Sequence, residues 1–431
     1  VKLKGAPARR IIYIFIAASL WLELVLFFHY RDGLRHGYTD FSVFYTAGTI
    51  LRHGLGNRIY DRQLQFKVQQ SFTGPVPFRR GPLPFIHPPF EAIIFAPLTL
   101  LPYAPAFLLW GGLTALALLA VFMVLRRSVP TLQCVPPWKA FMVALAFYPV
   151  FVCFLQGQDS ILQLLLCALA FHALQKRRDF VAGCWLGLAA FKFQFIVPMV
   201  VLFVLWRRAR VAFGFAAVAA VLALLSLAIV GPGSLFHYPT MVLRLTESTG
   251  LGGTPLTLMP NLHGLMLGWS GISSEAWAVR ACAIFAGAAS AMVFLLAALA
   301  GRPRIGSRIG SRIGPRILPL QFSLAVVVAG LIAWQTNAHD LSLLVLPLVL
   351  MTDYLMSDDG APPRSAGSFP RLGLLYPVVP LLIGPLWIVL WLNAGPVNAM
   401  AIPLLWWAWR IGTELKRQTC AVQSAPGSAS A

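Results

Sequence analysis

Thirteen apolar runs dictate what this chain can fold into. They lie at 11–28, 88–102, 105–125, 138–155, 159–175, 180–192, 195–206, 211–230, 274–300, 318–336, 339–356, 372–393 and 397–411. A helix needs about 20 apolar residues to cross a bilayer core, with roughly 17 as a lower limit. In lipid, backbone polar groups must be satisfied internally, so helices are the natural solution for runs like these. The expected fold is all-α, a polytopic transmembrane helical bundle. Composition agrees: 58% of residues are hydrophobic and 11% charged, where soluble domains carry about 25% charge. A soluble multidomain protein is excluded, and so is a disordered chain, which needs low hydrophobicity.

Charge then orients the runs. There are 34 Lys+Arg against 14 Asp+Glu, a formal +20. In a soluble protein this excess would point to nucleic acid. In a membrane chain it is first a test of the positive-inside rule. Lys2/Lys4/Arg9/Arg10, Arg126/Arg127/Lys139, Lys176/Arg177/Arg178, Arg207/Arg208/Arg210, Arg302 to Arg316, Arg364/Arg371 and Arg410/Lys416/Arg417 mark seven links as cytoplasmic, 23 of the 34 basic residues. Alternation holds if 88–102, with Pro88, Pro89, Pro97 and Pro102, is a re-entrant or interfacial element. It also needs 180–192 and 195–206 to form a tight helical hairpin with an outward apex. The result is about 12 crossings with both termini cytoplasmic. The first run is read as a retained helix, because no small-residue cleavage site follows it.

One membrane domain is expected over 1–418, with long outer loops at 29–87 and 231–273. The stretch 301–317 carries an IGSR repeat and reads as a solvated basic linker near anionic lipid. The Ser/Ala/Gly-rich tail 419–431 is expected to be disordered. Six cysteines, at 134, 153, 167, 184, 282 and 420, show no metal-clip spacing and read as buried thiols.

Polar residues at membrane depth are costly and mark function. In the topology above they gather on the outer face. They are Asp40 in YTDFSVFYTAG, His87 before Pro88-Pro89, and Gln156, Gln158 and Asp159 in QGQDS. Lys192 and Gln194 in AAFKFQF, Asn261 and His263 in PNLHG, and Asn337, His339 and Asp340 in TNAHD complete the set. These residues took no part in orienting the chain. A Lys with several His, Asp and Asn at one face suits an anionic headgroup and a polar ligand. Each also has a plainer reading. Asp40 can cap a helix that starts at Phe41, and Gln156–Asp159 and His339/Asp340 can cap helices too. Lys192 can snorkel to the interface. His87, Asn261 and His263 can be loop structure, and Glu23 can pair between helices.

TDFSVFYTAGTILRHGLGNRIYD, FIHPPFEAIIFAPLTLLPY, LQGQDSILQLLL and GCWLGLAAFKFQFIVP, in that order over residues 38–206, resemble family-87 glycosyltransferases, with HDLSLLVLP at 339–347 as a later echo. These are integral-membrane enzymes of the C-type glycosyltransferase fold, and include polyprenyl-phosphate-mannose-dependent mannosyltransferases of actinobacteria. The resemblance implies a lipid-linked sugar donor, an active site on the outer face, and an Asp of the first outer loop as catalytic base. Asp40 matches that position. A carboxylate takes the acceptor proton as the lipid phosphate leaves, and cations or donors stabilise the departing charge. His87 and Lys192 are the candidates for that task, with His339 behind them. Gln158, Gln194, Asn261, His263 and Asp340 are candidate substrate contacts. No nucleotide diphosphate leaves, so neither a metal nor another cofactor is expected. The sequence has no Asp-x-Asp clamp, and Asp32, Asp40 and Asp61 are spread apart where many relatives pair two acids.

The expected activity is hexosyl transfer, mannose or another hexose, from a polyprenyl-phosphate donor to a glycolipid or glycan acceptor at a bacterial cytoplasmic membrane. Membrane lipids are partners and nucleic acid is not. The basic residues of the first outer loop, Arg52, Arg58, Arg62, Lys67, Arg79 and Arg80, read either as an amphipathic surface helix or as steering for an anionic substrate. A lipid or polar-solute transporter or flippase is the competing class, since broken hairpins occur in transporters. Against it, the two halves show no repeat. A polysaccharide ligase and a non-catalytic assembly factor complete the alternatives.

Overall fold

All regular elements among the described residues are helical, as lipid-embedded backbone requires. The computed structural model describes residues 6–73, 83–247, 259–270, 276–302, 316–357, 371–382 and 399–424. The main helices are α1 (Ala6–Arg35), α2 (Phe41–Arg52), α3 (Arg62–Thr73), α4 (Tyr103–Leu125), α5 (Pro137–Leu145), α6 (Tyr148–Gln156), α7 (Ser160–Gln175) and α8 (Asp179–Leu188). They continue with α9 (Phe193–Leu205), α10 (Ala209–Glu247), α11 (Leu262–Ser270), α12 (Ala276–Gly301), α13 (Ile317–Ile332), α14 (Val345–Met356) and α15 (Ala401–Ser424). The proline-rich run 88–102 forms a broken string of short turns from Pro89 to Leu100.

Five stretches are long and apolar enough to span: Tyr13–Arg35, Tyr103–Leu125, Ala209–Phe236, Trp277–Gly301 and Ala338–Met356. Two bent pairs, α5 with α6 (82°) and α8 with α9 (67°), bring the number to seven if each is one span. The chain is a multi-pass helical membrane bundle. The described residues alone do not reach the twelve crossings expected, for a reason of length. α13 has 16 residues and rises only about 24 Å at 1.5 Å per residue, short of a core of about 30 Å. Its residues Ile317 to Leu331 are buried around the whole circumference, so protein replaces lipid as its apolar solvent.

The α8–α9 pair turns back on itself. Arg208 Nη1, just past α9, lies 2.9 Å from Asp179 Oδ1 at the start of α8. α8 and α10 then run parallel. Gly183 meets Val211 and Phe215, Gly187 meets Val218, and Gly214 meets Phe180. Gly183 and Gly187 have GxxxG spacing, which lets two helix backbones touch.

The tail expectation needs correction. α15 continues to Ser424, so 419–424 are helical. Gln418 is buried and donates to Tyr354 Oη and Glu414 Oε1, both at 2.9 Å, while Arg417 pairs with Glu414 at 2.7 Å. These bonds anchor the turn of α15 just before the segment that composition assigned to disorder. Residues 425–431, most of the IGSR repeat (303–315) and Arg79/Arg80 lie outside the described residues. All six cysteines are free; Cys153 and Cys167 are buried, and Cys134 is exposed.

The core has two parts. One gathers Phe41, Phe44, Ile50, Phe85, Phe95, Phe107 and Trp110 around α2 and the 88–102 string. The other joins α6, α7, α9, α13, α14 and α15. The polar residues of interest lie along the seam between them. At that seam Gly157 adopts φ +64, and a Cβ there would sit 2.7 Å from Phe41 Cβ. Only glycine takes this conformation without strain.

Candidate active site

The QGQDS turn builds the site. α6 ends at Gln156, Gly157 is left-handed, and Gln158 N bonds back to Cys153 O at 2.9 Å. This Schellman closure leaves two glutamines flanking one sharp turn, and both reach Asp40. Gln156 Oε1 accepts from Asp40 N at 3.3 Å, and Gln158 Nε2 donates to Asp40 Oδ2 at 2.8 Å. Asp40 does precede α2, but its side chain makes no capping bond. Its carboxylate is partly exposed and so is open to an incoming hydroxyl.

One residue further on, Asp159 enters a buried charge network. Lys192 Nζ lies 2.8 Å from Asp159 Oδ1, 2.6 Å from Asp340 Oδ1 and 2.6 Å from Ser160 Oγ. Lys192, Asp159 and Asp340 are all under 5% exposed. The other oxygen of Asp340 accepts from Asn337 N at 2.8 Å, closing a capping box. Burial opposes ionisation of Asp159, but the ammonium of Lys192 outweighs it and holds the carboxyl below the usual carboxylate range. Of the three donors of Lys192, two are spent on Ser160 Oγ and Asp340 Oδ1, and Asp159 adds an ion pair. Lys192 ties the α7 N-terminus to the 338–344 turn, and it also lines the cavity described below.

His87 sits beside this network. Its Nδ1 lies 2.8 Å from Glu91 Oε2. Tyr60 Oη donates to His87 O at 2.8 Å and Tyr238 Oη to Ile86 O at 3.0 Å, so two tyrosines hold this segment in place. Burial pushes the imidazole pKa down. A neutral ring offers one donor and one acceptor. Ligand atoms of His87, Glu91 and Asp159 lie within 4.8 Å of one another, the one such group among the described residues that could hold a metal. Lys192 already supplies a cation to that spot through Asp159.

A cavity of about 70 Å³, room for a few waters, opens among these groups. His87, Gln158, Lys192, Gln194, Trp334, His339 and Asp340 line it. Trp334 Nε1 and Gln158 Oε1 are buried there without a partner. Buried polar atoms are normally paired, so an orphaned donor and acceptor at a cavity mark where ligand oxygens and hydroxyls belong. His339 Nε2 lies 3.5 Å from Asp340 Oδ1.

Two expected contacts are placed elsewhere. Asn261 is fully buried, with Nδ2 donating to Ala333 O at 2.7 Å and Oδ1 accepting from Gly264 N at 2.7 Å. It caps α11, and His263 in the first turn of that helix does not line the cavity. Glu91, Trp334, Ser160, Tyr60 and Tyr238 were not singled out from sequence. For Glu91 a signal existed: HPPFE puts it four residues after His87, the spacing of neighbours on a helix.

The profile of glycosyltransferase family 87 matches residues 85–311, just over half of the chain. The chain belongs to glycosyltransferase family 87. It is a membrane glycosyltransferase and takes a sugar from a donor to an acceptor. No curated protein and no solved structure gives a match. The family match takes in His87, Glu91, Gln158, Asp159 and Lys192, and leaves Asp40, Trp334, His339 and Asp340 outside it.

Proposed function

We propose that this family-87 enzyme transfers a hexose, mannose in the first instance, from a polyprenyl-phosphate carrier to an acceptor hydroxyl. Asp40 is the general base. The observation that carries the reading is the clamp on Asp40. Its backbone N–H and its Oδ2 are both held by the QGQDS turn, beside a cavity with an unpartnered donor and acceptor. Asp40 takes the proton of the acceptor hydroxyl, whose oxygen forms the new bond to the anomeric carbon. The carbon–oxygen bond to the carrier phosphate breaks, and the phosphate leaves with the electron pair. Trp334 Nε1 and the His87 and His339 rings are the groups at hand to receive the phosphate and the sugar hydroxyls. Preorganised donors of this kind supply a large share of transition-state stabilisation.

The active site faces the outer side of a bacterial cytoplasmic membrane in this reading, because the basic links place the termini inside. The acceptor is a glycolipid or a glycan. No metal takes part, since the cation at the acidic cluster is Lys192. The test offers the purified protein, in proteoliposomes, synthetic polyprenyl-phosphate mannose beside nucleotide-activated mannose, each with and without chelator. Transfer from the lipid carrier alone, unaffected by chelator, is expected. Transfer only from the nucleotide sugar, or its loss on chelation, would sink the proposal.

A further inference from the structure

A second and larger cavity lies outside the site just described. It measures about 550 Å³ and opens to the surface. Arg35 at the end of α1, and Arg52 and His53 at the end of α2, line it against a wall of Tyr45, Phe72 and Tyr103. Among the described residues no carboxylate lines it. The nearby hydroxyls are spent: Tyr45 Oη donates to Leu101 O and Thr49 Oγ1 to Tyr45 O, each at 2.8 Å. The Arg35 and Arg52 guanidinium groups are cationic donors, so the complement is an anion.

Its depth narrows the choice. The helix that carries the apolar run 11–28 ends at Arg35, about two turns beyond that run, and the apolar span of α4 begins at Tyr103. The cavity therefore sits where the lipid-facing surface gives out, the level of lipid phosphates. Two guanidinium groups from separate elements suit phosphate recognition better than a single snorkelling side chain does. We propose that this cavity binds the phosphate of a membrane amphiphile.

The cavity also touches the site. Tyr103 Oη lies 2.9 Å from Thr39 Oγ1, and Thr39 precedes Asp40. A headgroup anchored by its phosphate at Arg35 and Arg52 is thereby linked to the base through Tyr103 and Thr39. That last step rests on Asp40 acting as base; the binding itself does not.

The test titrates the full-length protein, in neutral maltoside micelles, with dioctanoyl phosphatidylglycerol and with phosphate-free dioctanoylglycerol, read by calorimetry. Wild type binds the phosphate lipid. Arg35→Gln with Arg52→Gln weakens that binding by roughly tenfold or more, the scale of a lost charge-assisted hydrogen bond, and leaves dioctanoylglycerol unchanged. The double Lys variant, which keeps both charges, recovers part of the affinity and guards against a folding artefact. Asp40→Asn keeps wild-type binding, so failure of the base assignment and failure of this site read differently. Equal affinity in wild type and the double Gln variant overturns the proposal. Phosphatidylglycerol that raises the KM of a phosphate-bearing glycolipid acceptor puts the acceptor's own phosphate in the cavity. If KM stays constant, the occupant is a bilayer headgroup; the phosphate chemistry is the same in both cases.

Discussion

Replacing Lys192 by Met removes the one cation that Asp159 and Asp340 share. The structure puts Nζ within 2.8 Å of both carboxylates, with all three side chains under 5% exposed. Removing one partner of a buried ion pair costs about 3–5 kcal/mol, because the remaining charge is left without water or counterion. At about 2 °C per kcal/mol for a large domain, Lys192→Met should lower the melting midpoint by roughly 6–10 °C. Detergent-solubilised protein, heated and scored by the monomer peak on size-exclusion chromatography, gives the readout. The control is the triple variant Lys192→Met, Asp159→Asn, Asp340→Asn. It carries no buried charge at this locus and should recover most of the loss, since neutral replacement of a buried ion cluster is often tolerated. A single variant as stable as wild type would refute the network as a structural lock. A triple variant as unstable as the single one would show that the loss came from packing, with charge secondary.

Gln158→Leu removes the donor to Asp40 Oδ2 and should lower kcat about tenfold, the worth of one hydrogen bond to a charged group, with KM little changed; steady-state kinetics checks it. Gly157→Ala forces a Cβ to within 2.7 Å of Phe41 Cβ at φ +64, so a destabilisation of about 2–4 kcal/mol is expected from strain and overpacking together, measured as a fall in the melting midpoint. Gly183→Leu drives a side chain into the Val211 carbonyl and should abolish the monodisperse monomer peak. For His87, burial holds the folded pKa below the ordinary value near 6.5, so the unfolded chain takes up the proton first as pH falls. The stability from the neutral ring is then complete above about pH 6.5 and is lost below it. The His87→Asn variant should show a shallower decline of melting midpoint between pH 6.5 and 5 than wild type.

Much of the fold was legible because hydropathy and charge act residue by residue. The all-helical membrane class needs only apolar runs and sparse charge. The crossing number was less accessible, since a run such as Ile317–Ile332 satisfies hydropathy whether lipid or protein surrounds it. The tail was misjudged because Ser, Ala and Gly dominate its end, while Gln418 and Arg417 fix the preceding turn through partners on other residues. At the site, motifs far apart in sequence, around Asp40, His87, Gln158, Lys192 and Asp340, meet along one seam. Their roles were less visible than their identities. Lys192 looks like a free cation until the two aspartates that occupy it are placed. Asn261 looks like a ligand contact until its bonds to Ala333 and Gly264 are seen. Trp334 was one apolar residue among many, and only an unpartnered Nε1 at a cavity distinguishes it.

The central claim is that the carboxylate clamped by QGQDS takes the acceptor proton. Its most direct test compares wild type and Asp40→Asn for transfer from synthetic polyprenyl-phosphate mannose under single-turnover conditions. The variant keeps the shape of the side chain and loses its basicity, so the transfer rate should fall by roughly 10²–10⁴-fold, the usual contribution of general base catalysis, with the melting midpoint unchanged. A variant that transfers at the wild-type rate would remove Asp40 as the base.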